Sequence, residues 1–382
     1  MNKKHFVILV LLLALFGYIF KESQALNLLF HGKETPQVIS SPPKALNAVN
    51  TEINTQQSQM TIADENRSAD ENYIVKCELD EDKLNSMYPQ KAMEEKFTNM
   101  MADLQQAKNL DSQLAYALYS KESFAENNTK NIELLKRVFM AEPTNALAMT
   151  SLLQECADLE NALCDQNIEK LAIQHHNDNG YLWFLIGNKR IKLQDKAGAI
   201  SAFNKMISAP YFDEMFADYI DNFMNISGGY NIAPSSLRSI MVFGMAAARK
   251  SPSFSALTQF CKTISAEDLA SAYLCLDIGK TLENSSKLAL FNLIGFAMQE
   301  NVYQKNKDEK ALAALQIRKE NSSFIKNYSK AAYNLMIFDE KLHEHWLNTF
   351  KNKGETAASK ALNKEAVLLS KNKNYYPCNN LF

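Results

Sequence analysis

The stretch GYLWFLIGNKRIKLQDKAGAISAFNKMISAP, residues 180–210, decides the fold. Two short amphipathic segments flank QDKAG, and a proline ends the second. Tyr181 to Leu193 reads as one helix, Ala199 to Ile207 as the next, and Pro210 as the stop. Helical spacing puts Trp183, Ile186 and Gly187 on one side of the first helix, and Ala199, Ala202, Phe203 and Met206 on one side of the second. Gly187 and Ala199 permit close approach of the two axes, while Trp183 and Phe203 fill the space beside them. The unit is a helical hairpin.

Upstream, NIELLKRVFMAEPTNALAM supplies Leu135, Val138 and Pro143 as another second helix with its stop, and helix-start signals fall near Asn145, Asn179 and Asp213, about 34 residues apart. In its Trp183, Ile186, Gly187, Ala199 and Phe203 positions the unit resembles the tetratricopeptide repeat. Arg190 stands where that repeat carries an aromatic, and Pro210 comes about one residue early. The resemblance covers roughly residues 110–225. Further helices are predicted at about 90–107, 215–226, 234–249, 253–262, 267–281, 286–303, 308–327, 330–351 and 355–370, with residues 72–79 extended. The expected fold is all-α: helical-hairpin repeats forming a tetratricopeptide-like solenoid that merges into a C-terminal helical bundle, over residues 73–382.

Composition agrees. Among 382 residues there are only 11 Gly and 9 Pro, too few for a fold built on many tight turns. Lys and Arg number 41 against 43 Asp and Glu, for a net charge of −2, with the two signs interleaved. Nucleic-acid binding needs a basic patch, so that partner class is not expected.

The N-terminus, MNKKHFVILVLLLALFGYIFKESQALN, places Lys3 and Lys4 before an apolar run from Phe6 to Phe20. Residues 1–25 are read as a signal anchor or a signal peptide. The uncleaved anchor is preferred because Lys21 and Glu22 crowd the small residues Ser23 and Ala25 that would precede a cleavage site. Residues 26–72, rich in Ser, Thr, Asn, Gln and Pro without apolar period, read as a disordered linker. The body is then expected in a bacterial periplasm, tethered to the inner membrane. If the leader is cleaved, it is soluble in the periplasm or secreted.

Six cysteines in such a chain point to disulfides. Cys156 and Cys164 flank a turn almost symmetrically and form the first expected pair. Cys261 and Cys275 lie on successive helices, but a turn between 262 and 267 would leave them nearly two turns apart, so a longer loop or crossed helices are required. Cys77 and Cys378 remain, and would tie the ends of the domain together. Buried reduced cysteine is the alternative. No cofactor or metal is expected: HEHW places His343 and His345 on opposite sides of a helix, and His175 and His176 complement a helix end. Glu122 and Ser123 in SKESFAEN resemble the Glu-Ser pair of lytic transglycosylases, but a helix follows where that family carries a Gly-rich segment.

The tetratricopeptide resemblance implies a protein or peptide partner held on the first helices of the units. With Trp183, Ile186 and Gly187 assigned to packing, Tyr181, Phe184, Asn188 and Lys192 form the candidate binding face. The competing expectation is that a neighbouring helix covers the two aromatics. The function expected is therefore a membrane-tethered binding scaffold. A cell-wall-acting enzyme, or an inhibitor that neutralises a toxin, is the alternative.

Overall fold

The computed structural model of the chain describes residues 73–77, 86–124, 129–157, 163–249, 252–322 and 327–379. Leader and linker, residues 1–25 and 26–72, lie outside the described residues. Within them the protein is all-α, with sixteen α-helices and no strand. The first five are α1 (Gln90–Gln106), α2 (Leu110–Tyr119), α3 (Thr129–Ala141), α4 (Ala146–Cys156) and α5 (Gln166–His176). Next come α6 (Gly180–Lys192), α7 (Lys196–Ser208), α8 (Phe216–Gly228), α9 (Ser235–Ala248), α10 (Phe254–Ile264) and α11 (Leu269–Ser285). The last are α12 (Ala289–Lys305), α13 (Glu309–Ser322), α14 (Lys330–Phe338), α15 (Glu340–Lys353) and α16 (Glu355–Ser370).

The starts of these helices are written locally. Asn145, Asn179, Asp195, Ser253, Asp268 and Asp339 each accept a hydrogen bond from a backbone N–H in the first turn of the helix that follows. Such caps satisfy donors that the helix cannot satisfy itself. Asp339 also divides the segment predicted as one helix over 330–351. It caps α15 through the Leu342 N–H and accepts the Tyr375 hydroxyl at 2.6 Å, so the chain breaks there into α14 and α15. The third start signal, Asp213, does not cap: α8 begins at Phe216 after Met215, whose φ is 57°. Asp213 instead meets the preceding start. The Asn179 amide donates to the Asp213 carbonyl at 2.9 Å and accepts its N–H at 2.9 Å, joining two positions 34 residues apart.

The hairpin of α6 and α7 packs as its small residues dictate. A Cβ on Gly187 would lie 2.6 Å from the Phe203 ring, so the ring occupies the space that glycine leaves. Lys205 sits over the Trp183 ring at 4.2 Å, and the Trp183 indole donates to the Asn177 carbonyl. The α11–α12 hairpin is closer still. A Cβ on Gly295 would lie 2.5 Å from both the Gly279 carbonyl oxygen and the Glu283 nitrogen, a contact of backbone with backbone.

Neighbours in space are not always neighbours in sequence. Helix α6 rests on α4, α5 and α10, and α7 rests on α11, whereas α8 and α9 turn aside to pack on α2, α14 and α15. Tyr119 and Tyr219 fasten that crossing reciprocally: the Tyr119 hydroxyl donates to the Tyr219 carbonyl at 2.7 Å and the Tyr219 hydroxyl to the Leu118 carbonyl at 3.1 Å.

All six cysteines are paired, as Cys156–Cys164, Cys261–Cys275 and Cys77–Cys378. The second pair forms because α10 runs to Ile264 and α11 begins only at Leu269, which moves the turn two residues beyond its predicted place. Its Cα atoms stand 5.7 Å apart. The third pair joins residues 301 positions apart, and the Val75 N–H donates to the Ser370 hydroxyl beside it.

Gly295→Ala should lower unfolding free energy by about 1–3 kcal/mol, the cost of overpacking where neither backbone can move aside. Gly229→Ala, in helical backbone with nothing nearer than 3.9 Å to the new Cβ, should stay within about 0.5 kcal/mol of the parent. Denaturant titration of the two variants checks the contrast. Replacing Cys77 and Cys378 together by Ser should cost about 5–6 kcal/mol, against about 2–3 kcal/mol for the Cys156 and Cys164 pair, because the loop released is far longer. Equal losses in parallel melts would show that loop length does not govern the effect.

Candidate functional site

The face expected to hold a partner is inside the protein. Tyr181 is 1% exposed, and Phe184 and Asn188 are 0% exposed. The structure covers that side of α6 with aromatics from later segments. Tyr181 stacks on Phe184 with centroids 5.9 Å apart, and Phe212 and Phe291 close on both rings at 5.5–6.1 Å. Phe254 meets Phe184 at 5.9 Å. The Tyr181 hydroxyl accepts from the Gln154 amide at 2.8 Å, and burial raises its pKa well beyond the usual range. Asn188 donates to the Phe184 carbonyl one turn back at 2.9 Å. Lys192 alone of the four is exposed, at the end of the helix, where partial burial of its stem lowers its pKa. Tyr181, Phe184 and Asn188 therefore belong to the core, covered by aromatics from later segments, and Lys192 alone stands at the surface.

Other clusters of reactive residue types are also interior. Ser239 on α9 and His343 on α15 lie 2.9 Å apart, the spacing of a nucleophile and its base. They are 5% and 3% exposed, however, and burial lowers the His343 pKa to about 4, which keeps the ring neutral between the packed helices. The pair joins two helices and has no face open to a substrate. His345 points to solvent on the far side of α15, as its spacing from His343 predicts. Glu122 and Ser123 lie on the 3-10 turn Lys121–Phe124, with Glu122 exposed.

Glu214 is the most confined acid among the described residues. It is 3% exposed in the segment before α8, where its carboxylate accepts from the Ser286 hydroxyl and from the Lys287 N–H. Lys287 reaches from the same loop to the Asp213 carboxylate and to the Lys351 carbonyl. Glu355, half-buried at the start of α16, accepts the Ala289 N–H at 2.9 Å. The loop Ser286–Leu288 and the first residue of α12 are thus held from two sides. Desolvation outweighs the donated hydrogen bonds and raises both pKa values to about 7.

An open concavity of about 590 Å³ lies elsewhere, between the end of α1, Gln113 and Tyr116 of α2, the 3-10 turn and α3. Leu104, Ala107, Tyr116 and Leu134 give it an apolar floor, and Lys108, Lys130 and Arg137 stand at its exposed rim with Glu122 and Glu133. Lys130, Glu133, Leu134 and Arg137 form one stripe on α3 by helical spacing. Tyr116 is half-buried, and desolvation together with the adjacent, hydrogen-bonded Glu122 carboxylate raises its pKa. That α3 stripe is visible in the sequence, but the hairpin read over residues 180–210 points instead to α6. Among the described residues no cluster of His, Cys, Asp or Glu has the geometry of a metal site.

Because the folded protein keeps the Glu214 proton up to about pH 7 and the ordinary side chain loses it near 4.5, the folded state holds an extra proton between those values. This contribution to stability is complete below pH 4.5, is lost as pH rises toward 7, and is constant above. It amounts to about 3 kcal/mol at 1.36 kcal/mol per pH unit, with a smaller share from the more solvated Glu355. Glu214→Gln should therefore gain on the parent protein as pH rises from 4.5 to 7.5. Parallel denaturant titrations across that range measure the difference, and a pH-independent gap would refute it.

No protein-family model, no curated protein and no solved structure matches the chain.

Proposed function

We propose that the chain is an exported, membrane-tethered helical scaffold that binds another protein or a peptide. The observation that supports export most directly is the pairing of every cysteine in three disulfides. Such bonds persist in oxidising compartments and are rare in the cytosol. A leader with Lys3 and Lys4 before its apolar run fits the same location. No helix among the described residues is long and apolar enough to cross a membrane, and on this reading the tether is the segment 1–25. The tetratricopeptide-like hairpins, with their Gly187–Phe203 contact and the Asn145 and Asn179 starts, support the scaffold. On this reading the partner would occupy the open groove of α1, α2 and α3, a choice supported by the filling of the α6 face.

A periplasm-specific reporter fused after Phe382 should be active in a bacterial host. Activity from a cytoplasm-specific reporter alone would overturn the export reading. Crosslinking of the tagged full chain in its native envelope should yield a discrete heteromeric adduct, and recovery of uncrosslinked chain only would overturn the scaffold reading.

A further inference from the structure

Resting on the scaffold reading, we propose that the groove of α1, α2 and α3 takes an extended acidic peptide segment. Its shape and charge define the ligand. Lys108, Lys130 and Arg137 line it, and none of them forms an ion pair among the described residues. Of the two acids on the same rim, Glu122 is turned to the Tyr116 hydroxyl, which leaves Glu133 against three cations. The field favours an anionic guest.

Spacing sets the form of the guest. Lys130 and Arg137 are seven positions apart on α3, so about 10 Å separates them along the axis. A peptide in the extended polyproline II form rises ~3.1 Å per residue with about three residues per turn, so its positions i and i+3 share a face roughly 9 Å apart. Acids at positions i and i+3 of a peptide therefore match the two cations, with Leu134 between them available to an apolar side chain.

Gln113 closes one wall of the groove. Its amide nitrogen donates to the Lys108 carbonyl at 3.1 Å and, more weakly, to the Ala107 carbonyl at 3.4 Å, which holds the segment between α1 and α2 that carries Lys108. An acidic peptide meets the cations with its carboxylates and the apolar floor with an intervening side chain, whereas a simple anion meets only the cations.

The test is fluorescence polarisation with the full chain in detergent and the labelled peptide Gly-Asp-Ala-Leu-Glu-Ala-Gly as the probe. Saturable binding is expected, at least tenfold weaker for K130E/R137E, weakened by added salt, and absent for the peptide with both acids replaced by Lys. Both rim side chains are exposed, so the double variant should retain the parent's melting temperature, which is measured alongside. Equal binding by the parent and K130E/R137E, or no saturation, overturns the proposal. So does charge-dependent binding to phosphatidylglycerol vesicles without peptide binding, which would assign the groove to a lipid surface. Envelope crosslinking separates this failure from that of the scaffold: an adduct formed equally by parent and variant removes the groove and leaves the scaffold standing.

Discussion

The enclosure of helix α6 is the constraint around which the other helices are arranged. Every position from Gly180 to Asn188 is buried, so the helix needs partners on all sides. Helix α7 supplies one through the Gly187–Phe203 contact, and α4, α5 and α10 supply others. The aromatics Phe212, Phe254 and Phe291 complete the enclosure from three separate segments. Hydrophobic burial of this kind is non-directional, but close packing of rings is not, so the cluster fixes where those segments must lie.

A polar path crosses the same region. Arg249 rests over the Tyr219 ring at 4.4 Å and donates to Ser151 and to Gln154, and Gln154 in turn donates to the Tyr181 hydroxyl. Helices α4, α6 and α8 are thereby joined through hydrogen bonds and a cation–π contact as well as through the apolar cluster. Removing one member would strand buried polar groups on the others, so the path specifies the arrangement more than it adds net free energy.

Much of this was legible in the sequence where the cause is local. Asn145 and Asn179 cap as expected because an N-cap needs only its own first turn. The small residues of the α6–α7 hairpin predicted their contact because the partner follows directly in the chain. Long-range causes were harder to read. Nothing within residues 180–210 shows that Phe254 and Phe291 return to cover Tyr181 and Phe184, and a helix whose second face is aromatic and amide reads equally well as an open binding face. The backbone contact at Gly279 and Gly295 was missed because neither residue breaks its helix. The groove had a visible stripe on α3, but its other walls come from α1 and α2, and their apposition is tertiary.

The Cys77–Cys378 bond turns the body between those residues into a covalent ring. Tension entering the chain before Cys77 and leaving it after Cys378 passes through two sulfur atoms and bypasses the helices. A ring of this kind keeps the packed body out of the load path when its ends are pulled, and only the chain outside the ring is stretched. Force applied at an internal site meets no such bypass and divides between the two arms of the ring that lead from that site to the disulfide. Mechanical resistance is then set by where the force enters and leaves the chain.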